Sequence, residues 1–457
     1  MDFVSLARSA LDHATTRRSD VIGVAVAPER IRAHLRGRYD FARPVRLEEL
    51  IPDVDDLLTR FTEHATHPRH FGLFRPAPDP LCVVADAMAA VHDPNLATWD
   101  FAPAASEIEH HVLDALAGRF GMPAGGLHHF TSGGQEANHT AVIAALIHAF
   151  PAVAQGGLRA LPGQPVFYVS AEGHASLDKV AHATGLGRAA LRKVATDDAL
   201  RLSVPDLERQ IAADRRAGHL PFLVVGTAGT TAAGAIDPLP EMASLAHAER
   251  LWFHVDAAWG GAAALSPQLR PVLAGIERAD SITCDAHKWL VTVGAGMIFV
   301  RHREPLEQAF AVETAYVPPQ AHDGRVYPFV TSLQWSRRFI GLKLFLVLAA
   351  HGWDGIAARI DHQTSVANHL RAALRARGFT LCNDTPLPLV CFTHPRLLDS
   401  SAHDHLVTRL RLDQSAWISR TILAGRIPAL RACITSHESG PEDIEALVQA
   451  VEEALPP

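Results

Sequence analysis

The chain is poor in lysine. Among its 457 residues only Lys179, Lys193, Lys288 and Lys343 carry a primary side-chain amine. Chemistry that needs a lysine nucleophile therefore has four candidates, because arginine cannot take its place. Cysteine is sparse too: Cys82, Cys284, Cys382, Cys391 and Cys433 are scattered, odd in number and free of CxxC spacing. That pattern argues against a disulfide framework and predicts reduced, mostly buried thiols in a cytoplasmic protein. No apolar run is long enough to span a bilayer, and Met1-Asp2-Phe3 opens no signal-peptide pattern. A net charge of −7 gives no general drive toward nucleic acid or an anionic membrane. Histidine is abundant, at 27, yet no HExxH and no Cys/His cluster has zinc-ligand spacing, so no metal site is expected. Repeats and low-complexity tracts are lacking as well.

What is present is an ordinary globular balance, 48% hydrophobic and 20% charged, in a chain long enough for more than one domain. Residues 1–80 carry amphipathic helical patterns broken by prolines, and read as a segment of short helices without a core of its own. From 81 onward, helical stretches (106–120, 135–149, 176–184, 204–217, 239–249) alternate with the wholly apolar runs 166–169, 222–225, 252–255 and 297–300. Strands that are apolar throughout, separated by helices, predict an α/β fold with a mostly parallel sheet covered on both faces. Residues 301–332 read as an irregular connection. A helix over 333–350 is expected to lead into a smaller C-terminal α+β unit. The expected division is 1–80, 81–332 and 333–457.

Five segments near strand ends carry the chemistry. In Cys284-Asp285-Ala286-His287-Lys288-Trp289 a lysine follows a short apolar strand. Burial of an amine there lowers its pKa and makes it a better nucleophile, although the segment alone also reads as a surface lysine. Upstream, Trp252-Phe253-His254-Val255-Asp256-Ala257-Ala258 puts an acid at a strand's carboxyl end, where α/β sheets bind ligands; an aspartate capping the next helix is the plainer reading. Thr131-Ser132-Gly133-Gly134-Gln135 runs into a helix whose first N–H groups form an anion site. It is neither a Walker A loop nor a GxGxxG fingerprint. Ser170-Ala171-Glu172-Gly173-His174 places an imidazole after another strand, and Gly226–Pro238 brings Thr231 in a third small-residue loop.

With these motifs in this order, the sequence resembles the group II pyridoxal-phosphate-dependent amino acid decarboxylases, which act on aromatic amino acids, histidine, glutamate or cysteine sulfinate. The likeness covers about residues 65–435. It implies the aspartate-aminotransferase-like fold (fold type I) and pyridoxal 5'-phosphate (PLP) as cofactor, held as a Schiff base on Lys288. It further implies that Asp256 partners the pyridine nitrogen, that His174 stacks on the ring and that Ala258 touches its other face. Ser132, Gly133, Gly134 and Gln135 match the phosphate loop, with His287 close by, and Thr231 matches the threonine near the ring hydroxyl. His67–Phe74 is similar to the family's substrate-pocket segment, and Ser106-Glu107-Ile108-Glu109 parallels its T-E-L-E motif. Tyr316 matches a mobile-loop tyrosine that reaches the neighbouring subunit's site and protonates the former α-carbon. A homodimer with shared sites, its interface including the N-terminal segment, follows from the same resemblance.

The expected reaction converts an L-amino acid to its amine and CO2 through an external aldimine and a quinonoid. Lys288, Asp256, His174 and Tyr316 are the catalytic candidates. Where relatives acting on aromatic substrates carry an aromatic pair followed by proline, this chain has Leu73, Phe74 and Arg75. A guanidinium there admits a substrate with an acidic side chain, unless Arg75 faces solvent. Oxidative aldehyde formation, aminotransfer and carbon–carbon lysis remain open on the same cofactor, since one fold hosts all of them. A catalytically inert binding protein is the alternative of another class.

Overall fold

Runs that are apolar at every position cannot leave one face in water, and they form the interior of one sheet. The computed structural model describes residues 26–312 and 325–457, together with Arg8, Ile22 and Val24. Seven strands make the large sheet: β1 (Leu127–Thr131), β2 (Pro165–Ser170), β3 (Leu191–Val194), β4 (Leu220–Thr227), β5 (Trp252–Asp256), β6 (Ser281–Asp285) and β7 (Gly296–Val300). Their order is β1-β7-β6-β5-β4-β2-β3. Only β7 runs against the rest, antiparallel to both β1 and β6. The carboxyl ends of the other six strands therefore lie along one edge, where the Lys288, Asp256, His174 and Thr231 segments all emerge.

Side chains on a strand alternate between faces, and two separate cores show it. Val166, Tyr168 and Val224 enter one core with helices α4 (Pro103–Arg119), α7 (Val204–Arg216) and α8 (Leu239–Ala248). Phe167, Val169 and Val225 enter the other with α5 (Gly134–Ala149) and α6 (Ser176–Ala183). Ahead of these lie α1 (Pro28–Arg38), α2 (Leu47–Phe61) and α3 (Pro80–His92); the short α9 (Glu304–Phe310) follows β7. Among the described residues no single helix is long and apolar enough to cross a membrane.

The C-terminal unit is a four-stranded antiparallel sheet in the order β10-β11-β9-β8, from β8 (Thr380–Leu381), β9 (Leu389–Thr393), β10 (Ser419–Leu423) and β11 (Ile427–Cys433). It packs with the second half of α10 (Leu342–Ala376), α11 (Ser400–Leu412) and α12 (Pro441–Glu453) around Leu370, Leu374, Leu406, Leu430 and Leu447.

Two expectations need correction. The helix expected over 333–350 begins only at Leu342 and runs to Ala376, interrupted at Gly352 (φ 63°). Residues ahead of Leu342 are tied to the helices beside the large sheet instead: Arg337 pairs with Glu109 on α4 at 2.7 Å, and its carbonyl accepts the Leu96 N–H at 2.9 Å. The 301–332 connection is also not irregular throughout, since α9 forms within it and buries Leu306.

Two buried histidines are expected to make the fold acid-sensitive. Burial holds His128 on β1 and His254 on β5 down to about 4. Unfolded histidine titrates near 6.5, so between those values the unfolded chain binds more protons and stability falls as the pH falls. A loss on the order of 3 kcal/mol per histidine is expected across that window. Urea midpoints from neutral to mildly acidic pH check this, and His128→Gln should remove about one proton from the slope. Identical slopes would place the acid sensitivity elsewhere.

Candidate active site

The site is assembled from strand ends. Asp256 is the last residue of β5 and is 5% exposed. A bare carboxylate at that depth needs donors, and it has two. The Asn138 amide donates to Oδ2 at 2.9 Å, and the Ala258 backbone N–H donates to Oδ1 at 3.1 Å. Lys288 closes the short turn after β6, with its Nζ 3.0 Å from Asp285 Oδ2. The other Asp285 oxygen is buried and has no hydrogen-bond partner among the described residues.

His174 follows β2 with its ring open at the rim. Its Nδ1 accepts the Ser176 N–H at 3.1 Å, which leaves Nε2 as the only ring position for a proton in the neutral form. The protein packed behind the ring lowers its pKa below the usual histidine value. Thr231 sits after β4, its carbonyl accepting Arg431 Nε at 2.8 Å.

One pocket at this edge is lined by Gly134, Gln135, His174, Thr231, Asp256, Ala258 and Lys288. The structure thus brings together residues from five segments that the sequence singles out. Gly134, the first residue of α5, has no room for a side chain: a Cβ there would lie 2.8 Å from Asp285 Oδ2 and 3.2 Å from the Ala258 Cβ. Gly133 stands just ahead of the helix, beside His287.

Other candidates lie outside that lining. Ser132 is exposed and turned toward Glu136, to whose Oε2 it donates from both backbone (2.8 Å) and hydroxyl (2.6 Å). His287 and Arg75 line a separate cavity together with Lys343. Burial lowers the His287 pKa, and its Nδ1 accepts the Ala295 N–H. Phe74 stacks on Trp259 at 4.4 Å, while Leu73 is 48% exposed. Tyr316 lies outside the described residues.

Three residues at the site escaped the reading by sequence. Asn138 lies in the helix that the Thr131–Gln135 motif runs into, and Asp285 lies within the lysine segment, but neither carries a role in the sequence reading. Arg431 was missed altogether, although an arginine inside the apolar strand β11 was a visible signal. It is 4% exposed, lies 4.7 Å over the Phe74 ring, and has no hydrogen-bond partner for Nη2 among the described residues.

The arrangement suits a flat, anionic aldehyde. It offers an amine to condense with a carbonyl, a buried carboxylate for a ring nitrogen, helix N–H groups for an anion and a tight glycine wall. PLP has that chemistry, and the residues present fit it.

Comparison with known proteins agrees. The model of the pyridoxal-dependent decarboxylase conserved domain matches residues 31–394. The chain is 31% identical over 399 residues to an aromatic-L-amino-acid decarboxylase of Bacillus atrophaeus, covering 85% of this chain and 81% of that one. It is 35% identical over 332 residues to the cysteine sulfinic acid decarboxylase of Mus musculus, covering 71% and 67%. A third relative, the L-2,4-diaminobutyrate decarboxylase of Rhizobium meliloti, is 32% identical over 382 residues, covering 81% and 74%. Among solved structures, mouse CSAD in apo form superposes with a TM-score of 0.91 at 26% identity, over 99% of this chain and 98% of that one. The fold is that of the fold type I PLP decarboxylases. By its sequence, fold and cofactor chemistry, the chain belongs to the pyridoxal-dependent decarboxylase family and is a PLP-dependent carboxy-lyase acting on amino acids.

Proposed function

We propose that the protein converts an L-amino acid to the corresponding amine and CO2, with Lys288 as the residue that binds the cofactor covalently. The observation that carries this is positional: of four lysines, Lys288 alone lines the pocket that contains Asp256. Asp256 pairs with the ring nitrogen, His174 covers one ring face and Ala258 the other, and Thr231 lies toward the ring hydroxyl. The N-terminus of α5, with Ser132, Gly133, Gly134 and Gln135, meets the phosphate, and His287 stands near it. When bound, PLP supplies the electron sink that accepts the pair left behind as CO2 departs. The protein orients the scissile carboxyl, and Asp285 holds the Lys288 ammonium whenever that amine is free. Tyr316 returns a proton to the former α-carbon, which favours amine over aldehyde.

Substrate choice is assigned to Leu73, Phe74 and Arg75. Arg75 lines a cavity next to His287, where a guanidinium suits a carboxylate or sulfinate side chain. That reading is supported by relatives named for cysteine sulfinic acid.

We also propose a cytoplasmic homodimer. Helix α2 is amphipathic yet has no buried residue among the described part of one chain, and it exposes Leu47, Leu58, Ile51 and Val54. An apolar stripe of that kind calls for a partner surface. Residues 1–80 are then the interface segment, 81–332 the cofactor domain and 333–457 the small domain, save that the residues ahead of Leu342 pack on the cofactor domain.

Borohydride reduction followed by mass spectrometry, and an amino acid panel read for CO2 and peroxide, test the reaction. A phosphopyridoxyl adduct on Lys288 with CO2 and no stoichiometric peroxide is expected. Tyr316→Phe should shift the product toward aldehyde with peroxide. Peroxide or keto acid from the unaltered protein would move the reaction to oxidation or aminotransfer.

A further inference from the structure

Asp256 does not stand alone in the interior. Behind it runs a chain of buried side chains on β5, β6 and α5: Asn138, Thr283, His254 and Ser281, each no more than 1% exposed, with Trp252 at 5%. Asn138 Nδ2 lies 2.9 Å from Asp256 Oδ2 and 3.4 Å from the Ser176 hydroxyl. Asn138 Oδ1 lies 2.8 Å from the Thr283 hydroxyl and 3.0 Å from His254 Nε2. His254 Nδ1 and the Trp252 indole nitrogen each lie 2.8 Å from Ser281 Oγ.

Donor and acceptor roles follow from the Asp256 end. A carboxylate can only accept, so the Asn138 amide must present its N–H groups to Asp256 and its oxygen to Thr283 and His254. The oxygen then accepts the Thr283 O–H and a proton on His254 Nε2. Burial keeps His254 neutral, so its Nδ1 has a lone pair and accepts the Ser281 O–H. Ser281 in turn accepts from Trp252, whose indole N–H can only donate. Every member is satisfied in this arrangement. Turning the Asn138 amide over would set oxygen against oxygen at Asp256.

We propose that Trp252, Ser281, His254 and Thr283 lock the Asn138 amide in the one orientation that holds Asp256 for the cofactor's ring nitrogen, making Asn138 and His254 positioning residues. The proposal rests on the reading of Asp256 as the ring-nitrogen partner. The same amide reaches His174 through Ser176, whose backbone N–H binds the imidazole, so one side chain sets both the acid and the ring that covers the cofactor. A fully satisfied buried network of this kind fixes geometry more tightly than its separate bonds would.

The test uses the holoenzyme with isotope-labelled PLP, reading ring-nitrogen protonation from its NMR resonance, beside cofactor affinity and thermal stability. Asn138→Leu is expected to lower the protonated fraction and to weaken PLP binding about 10- to 100-fold, by analogy with outer-shell partners of metal ligands. His254→Leu and Ser281→Ala should act in the same direction with decreasing size. His254→Gln, which keeps an N–H for Asn138, should recover most of the parental signal. A parental resonance in His254→Leu and Ser281→Ala, with only a loss of thermal stability, would overturn the proposal. Asp256→Asn separates the two levels. If it too leaves the ring nitrogen unchanged, the assignment of Asp256 itself fails, and the lock with it.

Discussion

Lys288→Ala is expected to give a protein that carries no covalent cofactor and releases CO2 at least about 10³-fold more slowly than its parent. The size of the effect follows from the scarcity of alternatives. Lys179 is exposed on α6, and Lys193 is tied to Asp178 at 3.2 Å. Lys343 pairs with Asp86 at 2.9 Å and donates to the Val293 carbonyl at 3.2 Å. None of the three lines the pocket with Asp256. Lys288→Arg should fare no better, because a guanidinium keeps the charge near Asp285 but does not condense with an aldehyde. The pair of variants therefore separates charge from covalency. Mass spectrometry after borohydride reduction and a CO2 assay read the two effects, and circular dichroism checks the fold. An adduct on another lysine, or activity within tenfold of the parent, would remove Lys288 from the reaction.

The parts of the fold that are legible in sequence are those whose cause is local. Runs 166–169, 222–225, 252–255 and 297–300 are apolar because both faces of those strands are covered, and all four fall within strands. Strand β1 is harder to read: His128 and His129 interrupt its apolar pattern, yet both are buried. The late start of α10 is invisible locally, since it depends on Arg337 reaching Glu109 on another helix. The same limit applies at the site. Residue types at strand ends announce an amine, an acid and an anion loop. The Asn138–Asp256 bond, by contrast, joins positions 118 residues apart, and only the folded chain shows that they meet. Arg431 comes to the site from β11 of the C-terminal sheet, 200 positions beyond the Thr231 carbonyl it binds.

The Arg337–Glu109 pair itself carries the second large effect, on stability. Its side chains are 4% and 2% exposed and meet at 2.7 Å, and Glu109 Oε1 also accepts the Gly341 N–H at 2.9 Å. Burial pushes the Glu109 carboxyl up, and the guanidinium opposes that push. Removing one partner of a buried pair leaves the other charge without compensation, so Arg337→Ala should cost about 3–5 kcal/mol in denaturant unfolding. Arg337→Met with Glu109→Leu, which removes both charges at once, should cost less than Arg337→Ala alone. The pH dependence tells charge from packing. Without Arg337 the folded Glu109 titrates still further above its unfolded value, near 4.3. Its protonated form is the one the fold tolerates, so the deficit is largest above the folded pKa and shrinks as the pH falls toward the carboxylate range. Urea midpoints of variant and parent, compared at each pH, should converge in acid. A deficit of constant size would make lost packing, and not an unpaired carboxylate, the cause.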